Sequence, residues 1–106
     1  MLKIGLFCAA GFSTGMLVNN IKLAAEKRQI AIDVNAHPQS SLQNCVADLD
    51  VALLGPQVSY TLNQSEAICK EHNVPIAVIP MADYGMLDGE KVLNLALSLA
   101  KVEVTQ

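Results

Sequence analysis

Aromatic residues, basic clusters and paired cysteines are all scarce in this chain of 106 residues, and each shortage excludes a class of function. Only 4% of the residues are aromatic and tryptophan is absent, so few rings are available to sandwich a flavin. No cluster of Lys and Arg occurs and the net charge is −3, so we expect neither nucleic acid nor an anionic membrane surface as a partner. The three cysteines include no CxxC pair, and no set of His, Cys and carboxylates has metal-ligand spacing. A disulfide framework and a metal site are therefore not expected.

Long apolar runs are also missing. The longest run near the C-terminus, Val92–Val102, is interrupted by polar residues such as Asn94 and Lys101, which predicts that the chain does not insert into a membrane. The first residues do not resemble a signal peptide, and we expect a cytoplasmic protein. With 52% hydrophobic residues, residues 1–106 are long enough for one domain with a single core.

Four short apolar runs alternate with four amphipathic segments. Continuous apolar runs of this length are typical of parallel strands covered on both faces, and they are Leu2–Phe7, Ile30–Ala36, Asp50–Leu54 and Pro75–Ile79. The alternation predicts an α/β fold: a single three-layer domain, flavodoxin-like, with a four-stranded parallel sheet in the order 2-1-3-4 and helices on both faces.

Helical spacing identifies the segments between and after the strands. The apolar stripes comprise Leu17, Ile21, Ala24, Ala25 and Arg28; then Leu42, Cys45, Val46 and Leu49; then Val58, Leu62, Ser65, Cys69 and His72; and finally Val92, Leu95, Ala96, Leu99 and Val102. Asp88 is the predicted N-cap of the last helix. In such sheets ligands bind beyond the carboxyl ends of the strands, where the winding changes direction. That point gathers Cys8 with its loop, Gly55–Gln57 and Pro80–Tyr84.

Cys8 ends the first strand and precedes a stretch of small residues. Ala9, Ala10 and Gly11 let the backbone wrap closely around a bound group, and Ser13-Thr14-Gly15 lead into the first helix. The N–H groups and the positive dipole at a helix N-terminus favour an anion, and thiolate is the reactive form of cysteine. The arrangement indicates a cysteine that handles phosphate.

Three chemistries fit such a cysteine. A phosphatase or arsenate reductase of the low-molecular-weight type needs an arginine six residues after the cysteine, where this chain has Thr14. A redox thiol needs a resolving partner, but Cys45 and Cys69 lie on apolar stripes and are expected in the core. A phosphoryl acceptor, with the phosphocysteine held by backbone N–H groups and the Ser13 and Thr14 hydroxyls, remains. Neutral donors suit a carrier that must resist hydrolysis.

Other residues near this edge permit two interpretations. Phe12 and Met16 lie on or just after the loop, and Met81, Tyr84 and Met86 approach from the side of strand four. They form either ordinary packing or an apolar docking rim around the cysteine. His37 lies at the same edge but away from the switch point, so we expect it to pack rather than to act.

Three separate motifs resemble one family. Leu6-Phe7-Cys8-Ala9-Ala10-Gly11-Phe12-Ser13-Thr14, Leu53-Leu54-Gly55-Pro56-Gln57-Val58, and Tyr84-Gly85 followed by Asp88-Gly89 are similar to segments of enzyme IIB of the lactose/cellobiose/chitobiose family, part of the bacterial phosphoenolpyruvate-dependent sugar phosphotransferase system (PTS). The resemblance covers the whole chain in length and element order. Phe12 stands where Met is common in that family, and Gly15 where Ser is common.

The resemblance implies a role for each matching residue. Cys8 would carry the phosphoryl group, the segment Ala9, Ala10, Gly11, Phe12, Ser13, Thr14 and Gly15 would bind the phosphate, and Met16, Pro56, Gln57 and Tyr84 would border the site and contact partners. The group would come from a histidine of a IIA protein and go to a β-linked disaccharide entering through the membrane component IIC. We expect no cofactor and a monomer between transient complexes.

Three alternatives remain at this point. Ser13-Thr14-Gly15 also resembles the phosphate loop of a flavodoxin-type electron carrier, although aromatic residues are few. A phosphatase or arsenate reductase is opposed by Thr14. A non-catalytic module with a regulatory anion site would bind phosphate without a covalent adduct.

Overall fold

A computed structural model describes residues 1–9 and 12–100 of the chain. The strands are β1 (Leu2–Cys8), β2 (Ile32–Pro38), β3 (Val51–Leu54) and β4 (Ile76–Val78), and the helices are α1 (Phe12–Lys27), α2 (Leu42–Cys45), α3 (Leu62–Glu71), α4 (Met81–Gly85) and α5 (Gly89–Leu99). Short 3₁₀ turns cover Gln39–Ser41, Val46–Asp48 and Pro56–Thr61.

The four strands form one parallel sheet in the order β2-β1-β3-β4, as the alternation of apolar runs predicted. Leu6 at the centre of the sheet pairs with Ala36 of β2 on one side and with Leu53 of β3 on the other. All four carboxyl ends therefore lie along one edge. The winding changes direction between β1 and β3, so this edge contains the switch point where ligands bind in such sheets.

Successive side chains of β1 and β3 point to opposite faces, which creates two cores. Ile4 and Leu6 join Val51 and Leu53 beneath α1 and α5 in the larger core. On the other face Phe7 packs in a second cluster under α2 and α3, whose other buried members are Leu42, Val46, Ala52, Leu54, Val58, Cys69 and Val74. Helices therefore cover both faces, as predicted.

Helices α1 and α5 pack closely against each other where Gly89 meets Asn20. A Cβ on Gly89 would collide with the backbone of Asn20, so only glycine permits this approach. Asn20 also donates from Nδ2 to the Leu87 carbonyl at 2.9 Å. Arg28 at the other end of α1 forms an ion pair with Glu90 at 2.9 Å and donates to Asn94 Oδ1 at 2.6 Å.

The predicted N-cap of α5 is confirmed, because the Asp88 carboxylate accepts from the Lys91 N–H at 3.1 Å. Leu93 and Leu97 are as deeply buried as Val92 and Ala96, since this helix contacts both α1 and the sheet. The stripe predicted for α5 was therefore too narrow. Val102, its last predicted member, lies outside the described residues.

Two other expectations needed correction. The stripe Leu42–Leu49 is a four-residue helix between 3₁₀ turns, and Leu49 is extended, so the regular spacing did not produce a regular helix. The sequence analysis also missed α4, which begins directly after Pro80. Proline supplies no N–H and a fixed φ, both of which suit the position before a helix.

Candidate active site

Cys8 is the last residue of β1 and lies opposite Pro38 of β2. The cysteine is 0% exposed. Ala9 follows as an exposed bend, and helix α1 begins at Phe12. The predicted phosphate-binding residues Ala10 and Gly11 lie outside the described residues. The thiol-bearing residue therefore ends a buried central strand, four residues before the first residue of a helix.

The second half of the predicted phosphate loop is helical. Phe12, Ser13, Thr14 and Gly15 form the first turn of α1, whereas the sequence analysis placed them in a loop before the first apolar stripe. The first four N–H groups of an α-helix have no acceptor within the helix, and they carry the positive end of its dipole. No acidic residue occurs in this turn. The four residues therefore suit an anion better as a helix start than they would as a loop.

Gly55 forms the wall of the site next to Cys8. Its N–H donates to the Phe7 carbonyl at 2.8 Å, which continues the pairing of β1 with β3 by one residue. A Cβ placed on Gly55 would lie 3.5 Å from the Cys8 Cβ. The glycine is buried, so the β3 backbone lies directly against the cysteine.

Gln57 and Tyr84 meet across the site. Gln57 Nε2 donates to the Tyr84 hydroxyl at 3.0 Å. Tyr84 lies on α4 and is 8% exposed, whereas Gln57 is exposed and Pro56 is half-buried. The structure thus brings the segments after β3 and β4 together, as the switch-point argument expected. Tyr84 belongs mainly to the core and reaches the site through its hydroxyl.

Three methionines near this edge are strongly exposed. Met16 on the second turn of α1 is 62% exposed, and Met81 and Met86, at either end of α4, are 75% and 80% exposed. Of the two interpretations of these residues, core packing is wrong for all three. Their apolar side chains are available to a partner protein.

His37, Cys69 and Cys45 lie in other parts of the fold. His37 stacks on Phe7 with ring centroids 5.4 Å apart, and Phe7 belongs to the face opposite Cys8. Cys69 is buried in the second core as predicted, and burial together with nearby Glu66 raises its pKa to about 11. Cys45 is only half-buried and lines a polar cavity of about 430 Å³.

The described residues form neither a metal-binding cluster nor a membrane-spanning helix. Within residues 1–9 and 12–100, no group of three or more His, Cys, Asp and Glu side chains is arranged to hold a metal ion. None of the helices described for this chain has the length and hydropathy needed to cross a membrane.

Residues 3–95 match the family described as "PTS system, Lactose/Cellobiose specific IIB subunit". The chain belongs to this family. IIB subunits of the PTS are phosphotransferases that phosphorylate the incoming sugar, and they work with IIA and IIC components. The family resemblance inferred from the motifs is confirmed.

Individual relatives agree on the component but differ in the sugar named. The chain is 34% identical to the oligo-beta-mannoside-specific EIIB component of Bacillus subtilis (strain 168), over 93% of this chain and 96% of the relative. It is 38% identical to the galactose-specific EIIB component of Lactococcus lactis subsp. cremoris (strain MG1363), over 91% and 94%. The solution structure of a cellobiose-specific IIB component from Borrelia burgdorferi superposes with a TM-score of 0.79 at 36% identity, covering 99% of this chain and 96% of that one.

Family membership sets aside the electron-carrier and phosphatase alternatives. The sequence analysis assigned Cys8, Met16, Pro56, Gln57 and Tyr84 to the site from motifs and strand ends, and their roles stay predictions. It missed the role of Gly55 as the wall beside Cys8. The glycine was visible in the sequence after the third strand, but its contact with the cysteine depends on the pairing of β1 with β3.

Proposed function

We propose that Cys8 is the phosphoryl carrier of this IIB protein, accepting the group from a phosphohistidine of a IIA protein and passing it to a sugar bound by the IIC component. One observation carries the proposal. In a chain of the IIB family, Cys8 ends the central strand directly before the N-terminus of α1, at the switch point of the sheet. The proposed domain is residues 1–106.

In both transfers a bond between phosphorus and the Cys8 sulfur is formed or broken. In the first, the Cys8 sulfur attacks phosphorus, the S–P bond forms, and the N–P bond of the phosphohistidine breaks with its electron pair left on the imidazole nitrogen. The imidazole takes up the proton that the Cys8 thiol gives up, and so leaves as the neutral ring. In the second, a sugar hydroxyl oxygen forms the O–P bond while the S–P bond breaks and its electron pair returns to sulfur. A base on the acceptor side or solvent takes the hydroxyl proton.

The first turn of α1 supports the charge of the intermediate. A phosphocysteine would add about one to two negative charges, as other phosphorylated residues do. We assign its binding to the N–H groups of the segment from Ala9 to Gly15, together with the hydroxyls of Ser13 and Thr14. The segment contains no cation. Neutral donors stabilise the group without the arginine with which phosphatases assist hydrolysis.

The exposed methionines support transient docking of partners. A donor histidine must come within bonding distance of Cys8, so the IIA protein has to cover the edge where Met16, Met81 and Met86 lie. Flexible, polarisable methionine side chains adapt to different surfaces, and this edge must receive both a donor and an acceptor protein in turn. We infer a monomer that forms short-lived complexes with IIA and IIC in the cytoplasm.

We assign the sugar to the β-linked disaccharide class of the cellobiose, chitobiose and lactose type. Relatives of similar identity are named for oligo-beta-mannoside and galactose, and a third for cellobiose. Variation among close relatives with one fold supports a division of labour in which the IIC component selects the sugar and the IIB protein supplies the phosphoryl group.

The test is a reconstituted relay. The protein is incubated with phosphoenolpyruvate, the general PTS proteins and a lactose-family IIA, and its intact mass is measured under mild conditions. We expect one added phosphoryl group on the wild-type chain and none on Cys8→Ser. If Cys8→Ser accepted the phosphoryl group as the wild-type chain does, the assignment of Cys8 would be wrong. A stable non-covalent phosphate complex without an adduct would favour the regulatory anion site instead.

A further inference from the structure

The side chains of Cys8 and Gln57 both lie next to Gly55. The position of an ideal Cβ on this glycine is 3.5 Å from the Cys8 Cβ and 2.5 Å from Gln57 Oε1. The Gln57 side chain therefore folds back over the glycine, so that its carboxamide occupies space that any other residue at position 55 would need. Cys8 and the Gln57 carboxamide flank the same backbone segment.

The other end of that carboxamide holds Tyr84. Gln57 Nε2 donates to the tyrosine hydroxyl at 3.0 Å, across 27 residues of chain. Tyr84 is buried and lies on α4. Its backbone N–H donates to the Pro80 carbonyl at 3.0 Å, at the start of this helix. An exposed glutamine thereby connects the loop beside the cysteine to the one buried residue of α4.

We propose that Gln57 is a positioning residue for phosphoryl transfer. Its hydrogen bond to Tyr84 fixes the loop after β3 against Cys8. Gly55 is required because a residue without a side chain leaves room for this bond. The inference rests on the proposed function of Cys8 as the phosphoryl acceptor. Transfer between proteins depends on a close and well-oriented approach, so a loosened wall beside the nucleophile slows the chemical step.

Gly55→Ala tests this arrangement without backbone strain. Gly55 has φ −64° and ψ 149°, values that alanine adopts readily. The new methyl group would meet the end of a flexible side chain at 2.5 Å and the Cys8 Cβ at an ordinary contact distance. The Gln57 carboxamide would have to move away, and the bond to Tyr84 would break.

The experiment measures single-turnover transfer from phosphorylated IIA to this protein at several protein concentrations, which separates the maximal rate from the half-saturating concentration. The variants are Gln57→Ala, Gly55→Ala, their combination, and Tyr84→Phe. Gln64→Ala, at another exposed glutamine, on α3, is the matched control. Melting temperature is recorded for each variant.

Gln57→Ala and Gly55→Ala should each lower the maximal rate by about threefold to tenfold, the range expected for one lost hydrogen bond. The half-saturating concentration should change by less than about twofold, because the bond is internal to this protein. Tyr84→Phe should slow transfer at least as much, and Gln64→Ala should not. The double variant should be no slower than Gln57→Ala alone, because the alanine methyl then has no carboxamide to displace.

Three results would overturn the inference: wild-type rates in Gln57→Ala; a further loss of rate when Gly55→Ala is added to Gln57→Ala, which would mean that the methyl group acts directly on Cys8; and a fast Tyr84→Phe beside a slow Gln57→Ala. The failure of the proposed function would look different. In that case Cys8→Ser would accept the phosphoryl group, or the wild-type chain would accept none.

Discussion

Cys8 and Cys69 are equally hidden from solvent but lie at opposite ends of helices. They are 0% and 1% exposed. Cys8 precedes the N-terminus of α1, where N–H groups and the positive dipole end favour an anion. Cys69 lies in the last turn of α3, where its own carbonyl accepts from the N–H groups of His72 and Val74. Glu66 lies one turn earlier.

The comparison shows that burial alone does not separate the thiol proposed as the phosphoryl carrier from a thiol of the core. At Cys69, desolvation and then the charge of Glu66 raise the pKa to about 11, so this thiol stays protonated and inert at neutral pH. At Cys8, the chain direction places a helix start beside the residue. The direction of the neighbouring helix therefore distinguishes the two sites.

The largest difference should be in phosphoryl acceptance, which is all or none. A variant with Cys45→Ala and Cys69→Ala, which leaves Cys8 as the single thiol, should accept one phosphoryl group at the wild-type stoichiometry. Intact mass after incubation with the donor proteins measures this. A loss of the adduct in this variant, with the fold intact by circular dichroism, would show that Cys45 or Cys69 takes part in transfer.

Alkaline pH should destabilise the fold through Cys69. Below pH 9 the thiol is protonated in both states. Between pH 9 and 11 the unfolded chain releases the proton while the folded chain retains it, because the folded pKa rises from 9.0 to about 11. The free energy of unfolding should therefore fall as the pH rises, by about 2 kcal/mol from this residue.

Urea unfolding at several pH values, wild type against Cys69→Ala, isolates that contribution. The alanine variant should start about 1 kcal/mol less stable at neutral pH because a small cavity replaces the sulfur. The difference between the two proteins should then shrink above pH 9. Parallel pH curves would mean that Cys69 ionises alike in both states.

Asp88 is a fixed anion at the N-terminus of α5, the end of a helix that favours negative charge. Its carboxylate accepts from the Lys91 N–H at the start of α5. Asp88→Ala should cost about 1 kcal/mol, and Asp88→Asn should recover most of it because the amide oxygen still caps the helix. Denaturant midpoints of the three proteins provide the measurement. If the asparagine variant were no better than alanine, charge rather than capping would explain the effect.

The smallest effect should come from Glu66, the second cause of the high Cys69 pKa. Glu66→Gln removes a charge on an exposed residue, so the alkaline loss of stability should shrink by only a few tenths of a kcal/mol. Comparing the alkaline unfolding curves of Glu66→Gln and Cys69→Ala checks the order of the two causes. A larger change in the glutamine variant would reverse that order.

Much of the fold could be predicted because it depends on local patterns. Continuous apolar runs indicated the four strands, their alternation with helices indicated the parallel order, and Asp88 indicated the start of α5. The predicted and observed ends differ by one or two residues for most strand ends, because hydrogen-bond pairing between strands, rather than composition, decides where a strand stops. The short helix α4 carried too few residues for a periodic signal.

The sequence by itself determined the class of fold and singled out Cys8 as the proposed nucleophile. Cys8 with its following small residues and the motif Leu53–Gln57 pointed to a phosphoryl carrier because chemistry and chain order were both local. Only the tertiary structure decided that Gly55 lies against Cys8 and that Gln57 bonds Tyr84. These contacts join residues that are distant along the chain, and they exist because the pairing of β1, β3 and β4 brings three strand ends to one edge.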